Sequence, residues 1–284
     1  MTPRIDLHIH TSASDGKFSP EDIVHSSAKL GLTVIAICDH DSVGGITTAL
    51  KTARGFSQIR VIAGVEVSTY APGSEAHLLG YFIDYTDPEL KATLANLRSS
   101  RRQRAKRTIT KLKGLDVHIS WQRVQEIASG GSIGRPHIAQ AMLEKGYITS
   151  LKEAFTKYIG PKGPAYIERQ KITPPEAVAL ITKAGGLPVL AHPLTVNDPE
   201  VMIAELKTAG LVGLEVHYNG YTEDERNSLA RLAEKYDLIA TGGSDYHGLD
   251  DGAETMIGGT YVPKESAEKL IALDQSQVLK LASS

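Results

Sequence analysis

The sequence predicts an α/β protein with a mostly parallel sheet, interrupted in its middle by a helical insertion. Three observations carry this. Short runs rich in Val, Ile and Leu alternate with capped, amphipathic helical runs in both end portions, the rhythm of βαβ units. Between residues 87 and 169 the rhythm breaks, and only helical patterns occur. Histidines and acids recur at the ends of the strand-like runs, the face on which parallel α/β folds bind ligands.

The elements follow in order. RIDLHIH is a strand in which Ile5, Leu7 and Ile9 point one way and Asp6, His8 and His10 the other. SPEDIVHSSAKLG is a helix, capped by Ser19, with Pro20 in its first turn and Gly31 at its end. LTVIAICDH is continuously apolar, as a strand buried on both faces is. The helix VGGITTALKTARG and the strands RVIAGVEVST and AHLLGYFID complete the first portion. The insertion contains DPELKATLANLRSSRRQRAKRTITKLKG, SWQRVQEIAS, RPHIAQAMLEKG and SLKEAFTKYIG, all helical. Then helices TPPEAVALITKAGG, DPEVMIAELKTAG and TEDERNSLARLAEKYD alternate with strands LPVLAHP, LVGLEVHY and LIATGGSDYHG. GGTYVP reads as a further strand before a last helix from Lys264. The expected division is 1–86 and 170–284 as one α/β unit, with 87–169 as the insertion over its site.

Composition narrows the function. The chain has 284 residues, 41% hydrophobic and 23% charged, with a net charge of −2. That is ordinary for a soluble globular protein and gives no global case for nucleic-acid or membrane binding. The single cysteine, Cys38, excludes an internal disulfide and a thiolate zinc cage. MTPRIDLHIH has no apolar signal region and no run is long enough to cross a bilayer, so a cytoplasmic protein without an obligate protein partner is expected.

The polar residues at the strand ends are His8, His10, Asp15, Asp39, His40, Asp41, Glu66, His77, His192, His217, Asp245 and His247. Singly, each has an ordinary reading: Asp6 and Asp41 as turn or cap residues, His217 as a hydrogen-bonded structural residue, His25 and His118 as structural. Adjacent imidazoles on one strand face repel when protonated and need partners when buried. A shared cation relieves both conditions. Imidazole and carboxylate ligands without sulfur suit Mn²⁺, Fe²⁺ or Zn²⁺.

DLHIH with Asp15, CDHDS, GVEVS, His77, AHP and GSDYH, in this order, resemble the PHP family, named for polymerase and histidinol phosphatase. The resemblance implies a distorted (β/α)₇ TIM-like barrel and two to three divalent metal ions that hydrolyse phosphoesters, Mn²⁺ first among them. It implies that His8, His10, Glu66 and Asp245 hold one ion and that Asp15, His40 and His247 hold a second. Glu66 would bridge to a third, held with His77 and His192. Where many members read TDH, this chain has Cys38 before Asp39. Neither a G-x-S-x-G elbow nor a P-loop offers a different mechanism.

Within the insertion, GGSIGRPHIAQAML places Arg135 and His137 at a helix mouth behind glycines, an arrangement suited to holding a phosphate. His217 is a third expected substrate contact. The insertion is taken to leave the barrel at its active rim. GRPHIA also resembles a PHP subgroup acting on nucleotide 3′,5′-bisphosphates or 5′-phosphorylated RNA ends. Residues 98–113 carry eight basic residues and no acid, enough to steer a polyanion. The expectation is a metal-dependent phosphoesterase that removes the 3′-phosphate of nucleoside 3′,5′-bisphosphates, with 5′→3′ trimming of short RNA as a second activity. The alternatives are a histidinol-phosphate or other small-molecule phosphatase, and a non-enzymatic accessory domain in nucleic-acid processing.

Overall fold

The computed structural model describes residues 4–71, 74–168, 172–248 and 256–282. Seven strands form one sheet in sequence order: β1 (Arg4–Ile9), β2 (Leu32–Ile37), β3 (Arg60–Ala71), β4 (Ser74–Tyr81), β5 (Leu187–Leu190), β6 (Gly213–Tyr218) and β7 (Ile239–Gly243). All neighbours are parallel except β4, which runs antiparallel to both β3 and β5. The sheet curls until its edges almost meet. Ile9 bridges Tyr246, and the His10 N–H donates to the Tyr246 carbonyl at 2.9 Å. Gly243 permits this approach, because a Cβ there would sit 2.4 Å from the His8 nitrogen. The result is a mixed, nearly closed seven-stranded barrel.

Outer helices cover the sheet: α1 (Pro20–Lys29), α2 (Ile46–Ala53), α7 (Pro174–Lys183), α8 (Pro199–Ala209), α9 (Glu223–Lys235) and α10 (Lys264–Ala282). Capping boxes start α1 (Ser19 with Asp22), α7 (Thr173 with Glu176) and α9 (Thr222 with Glu225), each cap contributing about 1 kcal/mol. One apolar cluster joins β3–β6 to α7, α8 and α9 through residues such as Val67, Leu78, Ile181, Leu206 and Leu229. A second joins β1 and β2 to α1 and α2 through Ile9, Ile23, Ile35 and Ile46. No described helix is long and apolar enough to cross a membrane.

Between β4 and β5 the chain forms α3 (Pro88–Lys113), α4 (Trp121–Ile127), α5 (Arg135–Glu144), α6 (Leu151–Ala154) and a π-helical turn (Phe155–Ile159). These share their own cluster, including Leu112, Val124, Ile138, Met142 and Ile159. The first half of α3 belongs elsewhere, since Leu90, Leu94 and Leu97 pack into the barrel's outer cluster.

Two expectations are corrected. GGTYVP forms no strand: Gly258 takes a positive φ of 65°, its N–H donates to Asp6 Oδ2 at 2.8 Å, and Pro263 leads directly into α10. The insertion does not leave from the active rim either. β4 is antiparallel, so Tyr81, at its end, lies beside Leu187, the first residue of β5, at the opposite end of the barrel.

Candidate metal centre

The carboxyl ends of the parallel strands bring the expected ligands together. β1 carries His8 near its end, His10 follows it directly, and the loop beyond carries Asp15. His40 follows β2, where it bridges Glu66 of β3. His77 reaches the same rim because β4 is antiparallel and its first half lies there, with Ser68 and His77 in register. His192 follows β5, and Asp245 and His247 follow β7.

Among the described residues, three groups of ligand atoms emerge, the atoms of each lying within 4.8 Å of one another. The first is His8, His10, Glu66 and Asp245. His10 Nε2 lies 3.2 Å from Glu66 Oε2 and 3.0 Å from Asp245 Oδ1. The second is Asp15, His40 and His247, joined by His10. Asp15 Oδ1 is 3.5 Å from His247 Nε2 and 3.6 Å from His10 Nδ1. The third is His40, Glu66 and His77, where Glu66 Oε1 lies 2.7 Å from His77 Nδ1 and 3.0 Å from His192 Nε2. The two Glu66 oxygens thus face different groups, as a bridging carboxylate must.

Burial and the opposite charges of carboxylates and imidazoles compete here, raising His8, His10, His192 and His247 and lowering His40 and His77. Burial works to raise the Glu66 carboxyl, yet His40, His77 and His8 hold it well below the usual range. Asp245 is held low against its burial by His8, His10 and His247. Burial would lower His247, but Asp15 and Asp245 push it up to about 10, whereas burial takes His77 down to about 4. Among the described residues, His10 Nδ1, Asp15 Oδ1, His40 Nδ1, Glu66 Oε2 and Asp245 Oδ1 are buried without a hydrogen-bond partner. Such groups cost ~1–3 kcal/mol each unless satisfied. Divalent cations fit the donor set, satisfying these atoms and replacing the protons.

Supporting residues fix the ligands, and sequence reasoning did not single them all out. Glu215, fully buried in β6, lies 2.9 Å from His8 Nδ1 and accepts the His192 N–H at 2.7 Å. Its signal was a carboxylate inside the apolar run LVGLEVHY. Asp6 is not a turn or cap residue: it is buried and accepts from the Ser244 N–H and hydroxyl and the Gly258 N–H. It thereby anchors the segment carrying Asp245. His192 and Asp245 have positive φ angles of 24° and 53°, strain that such anchoring sustains. Asp39 accepts from the Thr11 N–H, the Thr11 hydroxyl and the Ser14 hydroxyl, shaping the loop before Asp15.

The expected substrate contacts separate. Arg135 and Pro136 line a cavity of about 140 Å³ with Asp15, His40, His77 and His247. Arg101 and Arg104 of α3, nearly buried, line it too; in the sequence they were submerged in the basic run. Arg101 donates through Nε to Asp41 Oδ2 at 2.5 Å, and through Nη2 to the Ser68 hydroxyl. Asp41 is therefore half of a buried ion pair rather than a cap. His137 is buried, and its Nδ1 accepts the Gly134 N–H at 2.9 Å, closing the first turn of α5. His217 is not brought to the ligand groups. The β6–β7 register shifts between Glu215 and His217, and Tyr218 takes the inward position, donating from its hydroxyl to Asp245 Oδ2 at 2.8 Å.

A nearly closed barrel whose rim holds three carboxylate–imidazole groups beside an arginine-lined cavity defines a metal-dependent phosphoester hydrolase. Residues 6–168 match the model of the PHP domain, and the chain belongs to the PHP family. A 5′-3′ exoribonuclease of Haemophilus influenzae is 34% identical over 87% of this chain and 91% of its own. A 3′,5′-nucleoside bisphosphate phosphatase of Chromobacterium violaceum is 31% identical over 89% and 90%. A solved structure described as an amidohydrolase from Chromobacterium violaceum, with bound sulfate and no metal, superposes with a TM-score of 0.87 at 29% identity, covering 95% of this chain and 96% of that one.

Proposed function

We propose that this chain is a phosphatase that removes the 3′-phosphate from nucleoside 3′,5′-bisphosphates and acts in the cytoplasm. The reading assigns His8, His10, Glu66 and Asp245 to one ion, Asp15, His40 and His247 to a second, and Glu66, His77 and His192 to a third. Mn²⁺ is the first choice for a sulfur-free set. Residues 1–86 and 170–284 form the metal-binding unit, and 87–169 covers it. Bound divalent ions supply water activation and charge compensation at phosphorus. The chain's own residues do the rest. Glu215 orients His8, Tyr218 orients Asp245, and the cavity arginines hold the phosphate that stays.

The observation carrying this reading is the pair of adjoining sites. Arg101, Arg104 and Arg135 face a cavity that shares Asp15, His40, His77 and His247 with the metal centre. A substrate with two phosphates across one ribose engages both sites, and a monophosphate engages one. The 31% identical bisphosphate phosphatase supports the same reading.

Steady-state kinetics of Arg135→Ala and Arg104→Ala test it. Charge-assisted contacts are worth ~1.5–3 kcal/mol, so each variant loses roughly ten- to a hundredfold in kcat/KM on a 3′,5′-bisphosphate. On p-nitrophenyl phosphate the loss is small. Equal losses on both substrates overturn the assignment.

A further inference from the structure

The glycines ahead of α5 do more than open a helix mouth. A Cβ on Gly131 would overlap the Ser14 carbonyl oxygen and lie 2.6 Å from that of Ser12. Both carbonyls belong to the loop after β1 that carries Asp15. A Cβ on Gly134 would lie 3.2 Å from Asp15 Oδ2 itself. The turn between α4 and α5 therefore rests on the loop backbone to backbone, with no room for a methyl group between them. Neither side yields readily. In the loop, the Ser12 N–H donates to the Phe18 carbonyl at 2.8 Å, the Ser14 and Gly16 N–H groups donate to the Thr11 carbonyl at 3.0 Å, and the Ser14 hydroxyl donates to Asp39 at 2.6 Å. In the insertion, the Gly131 N–H donates to the Ala128 carbonyl at 2.7 Å. Ala128 and Ile133, on either side of that glycine, are buried in the insertion's own core. The Gly134 N–H, bonded to His137 Nδ1, carries this rigidity into the first turn of α5.

We infer that Gly131 is a positioning residue for the metal centre: by seating the α4–α5 turn on Ser12 and Ser14 it fixes Asp15, and the insertion thereby completes the second ligand group from outside the barrel. The inference rests on the assignment of Asp15 to an ion made above. Asp15 Oδ1 is buried without a hydrogen-bond partner, so the place of that oxygen depends on the backbone beneath it. Close-packed interiors pass a displacement on rather than absorb it. A side chain at position 131 must therefore push the loop, and Asp15 moves with it, away from His40 and His247. His8, Glu66, His77 and His192 stand on the strands or at the end of β5 and do not touch this turn, so the other two groups keep their geometry.

Gly131→Ala adds the methyl group at this contact, and titration of chelated protein with Mn²⁺ reads the result. One ion of the set is expected to bind roughly ten- to a hundredfold more weakly, the size typical of a lost outer contact, while the rest keep wild-type affinity. Gly146→Ala is the control. Gly146 follows the far end of α5 with a φ of 73° and nothing within 4 Å of an added Cβ, so the change burdens the same insertion without touching the loop. It is expected to keep wild-type Mn²⁺ binding, and thermal melts of the metal-free proteins compare the stability of the two. Gly134→Ala intrudes less on Asp15, is expected to weaken the same ion several-fold, and decides the matter if Gly131→Ala does not fold. Wild-type Mn²⁺ binding in the folded variant would overturn the inference. So would an equal loss in Gly146→Ala, which would make the effect one of general stability. Asp15→Asn keeps the two readings apart: if it binds Mn²⁺ as the wild type does, Asp15 holds no ion, and the metal assignment falls together with what is built on it.

Discussion

Glu215 Oε1 lies 2.9 Å from His8 Nδ1 while its other oxygen takes the His192 N–H at 2.7 Å. One buried carboxylate thus orients a ligand of the first group and the strained backbone that presents a ligand of the third. In Glu215→Gln the amide keeps the size but has one accepting oxygen for two donors. Such outer contacts are typically worth 10–100-fold in metal affinity. Titration of chelated protein with Mn²⁺ is expected to show a loss of about that size, and an unchanged affinity would remove Glu215 from the centre.

Glu66 faces His8, His10 and His40 with one oxygen and His77 and His192 with the other. Glu66→Gln is expected to reduce bound metal by at least one ion per chain and to lower kcat by roughly a hundredfold or more. Elemental analysis beside kinetics checks this. Full metal content with full activity would contradict the bridging role.

The pH dependence follows from His247. Without metal, Asp15 and Asp245 push it up to about 10 against its burial, from an ordinary value of ~6.5. That raised value stabilises the metal-free fold fully below about pH 6.5, and the contribution is lost as pH rises through about 10. A cation must displace the proton, so metal affinity rises with pH across that window, about tenfold per unit for each proton released. His77, at about 4, releases none there. Activity at limiting Mn²⁺ should therefore fall on acidification and be restored by more Mn²⁺. Constant affinity between about pH 6 and 8 would refute this.

The Asp41–Arg101 pair, at 2.5 Å and nearly buried on both sides, ties α3 to the loop after β2. Removing one partner of such a pair costs about 3–5 kcal/mol. Asp41→Ala should lower the melting temperature and also raise KM for a bisphosphate, because Arg101 loses its position in the cavity. A lower melting temperature with unchanged KM would make the pair purely structural.

Much of this was readable from the chain. Strand and helix alternation, the helix caps and the broken rhythm after residue 87 pointed to the architecture, the histidines and acids at strand ends supplied the candidate ligands, and the resemblance to the PHP family supplied their grouping. What escaped depended on contacts remote in sequence. Arg101 and Arg104 sat among eight basic residues, and only the packing of α3 selects the two that turn inward. His217 was the expected contact and Tyr218 was not singled out, because a register shift between Glu215 and His217 is invisible to a two-residue period. The direction of β4 was equally hidden, since an apolar run does not say which neighbour it pairs with or how.

That direction makes α3 a ruler. It begins at the end of the barrel away from the ligands, and its 26 residues span roughly 39 Å. Its first turns are clamped in the outer core by Leu90, Leu94 and Leu97, and its later turns deliver Arg101 and Arg104 to the rim. The distance between the arginines and the metal ligands is therefore gauged from the base of the barrel, not by a loop free to swing. On the function proposed above, that rigid spacing is what would select substrates by the span between their phosphates, and lengthening or shortening α3 by one turn would recalibrate it.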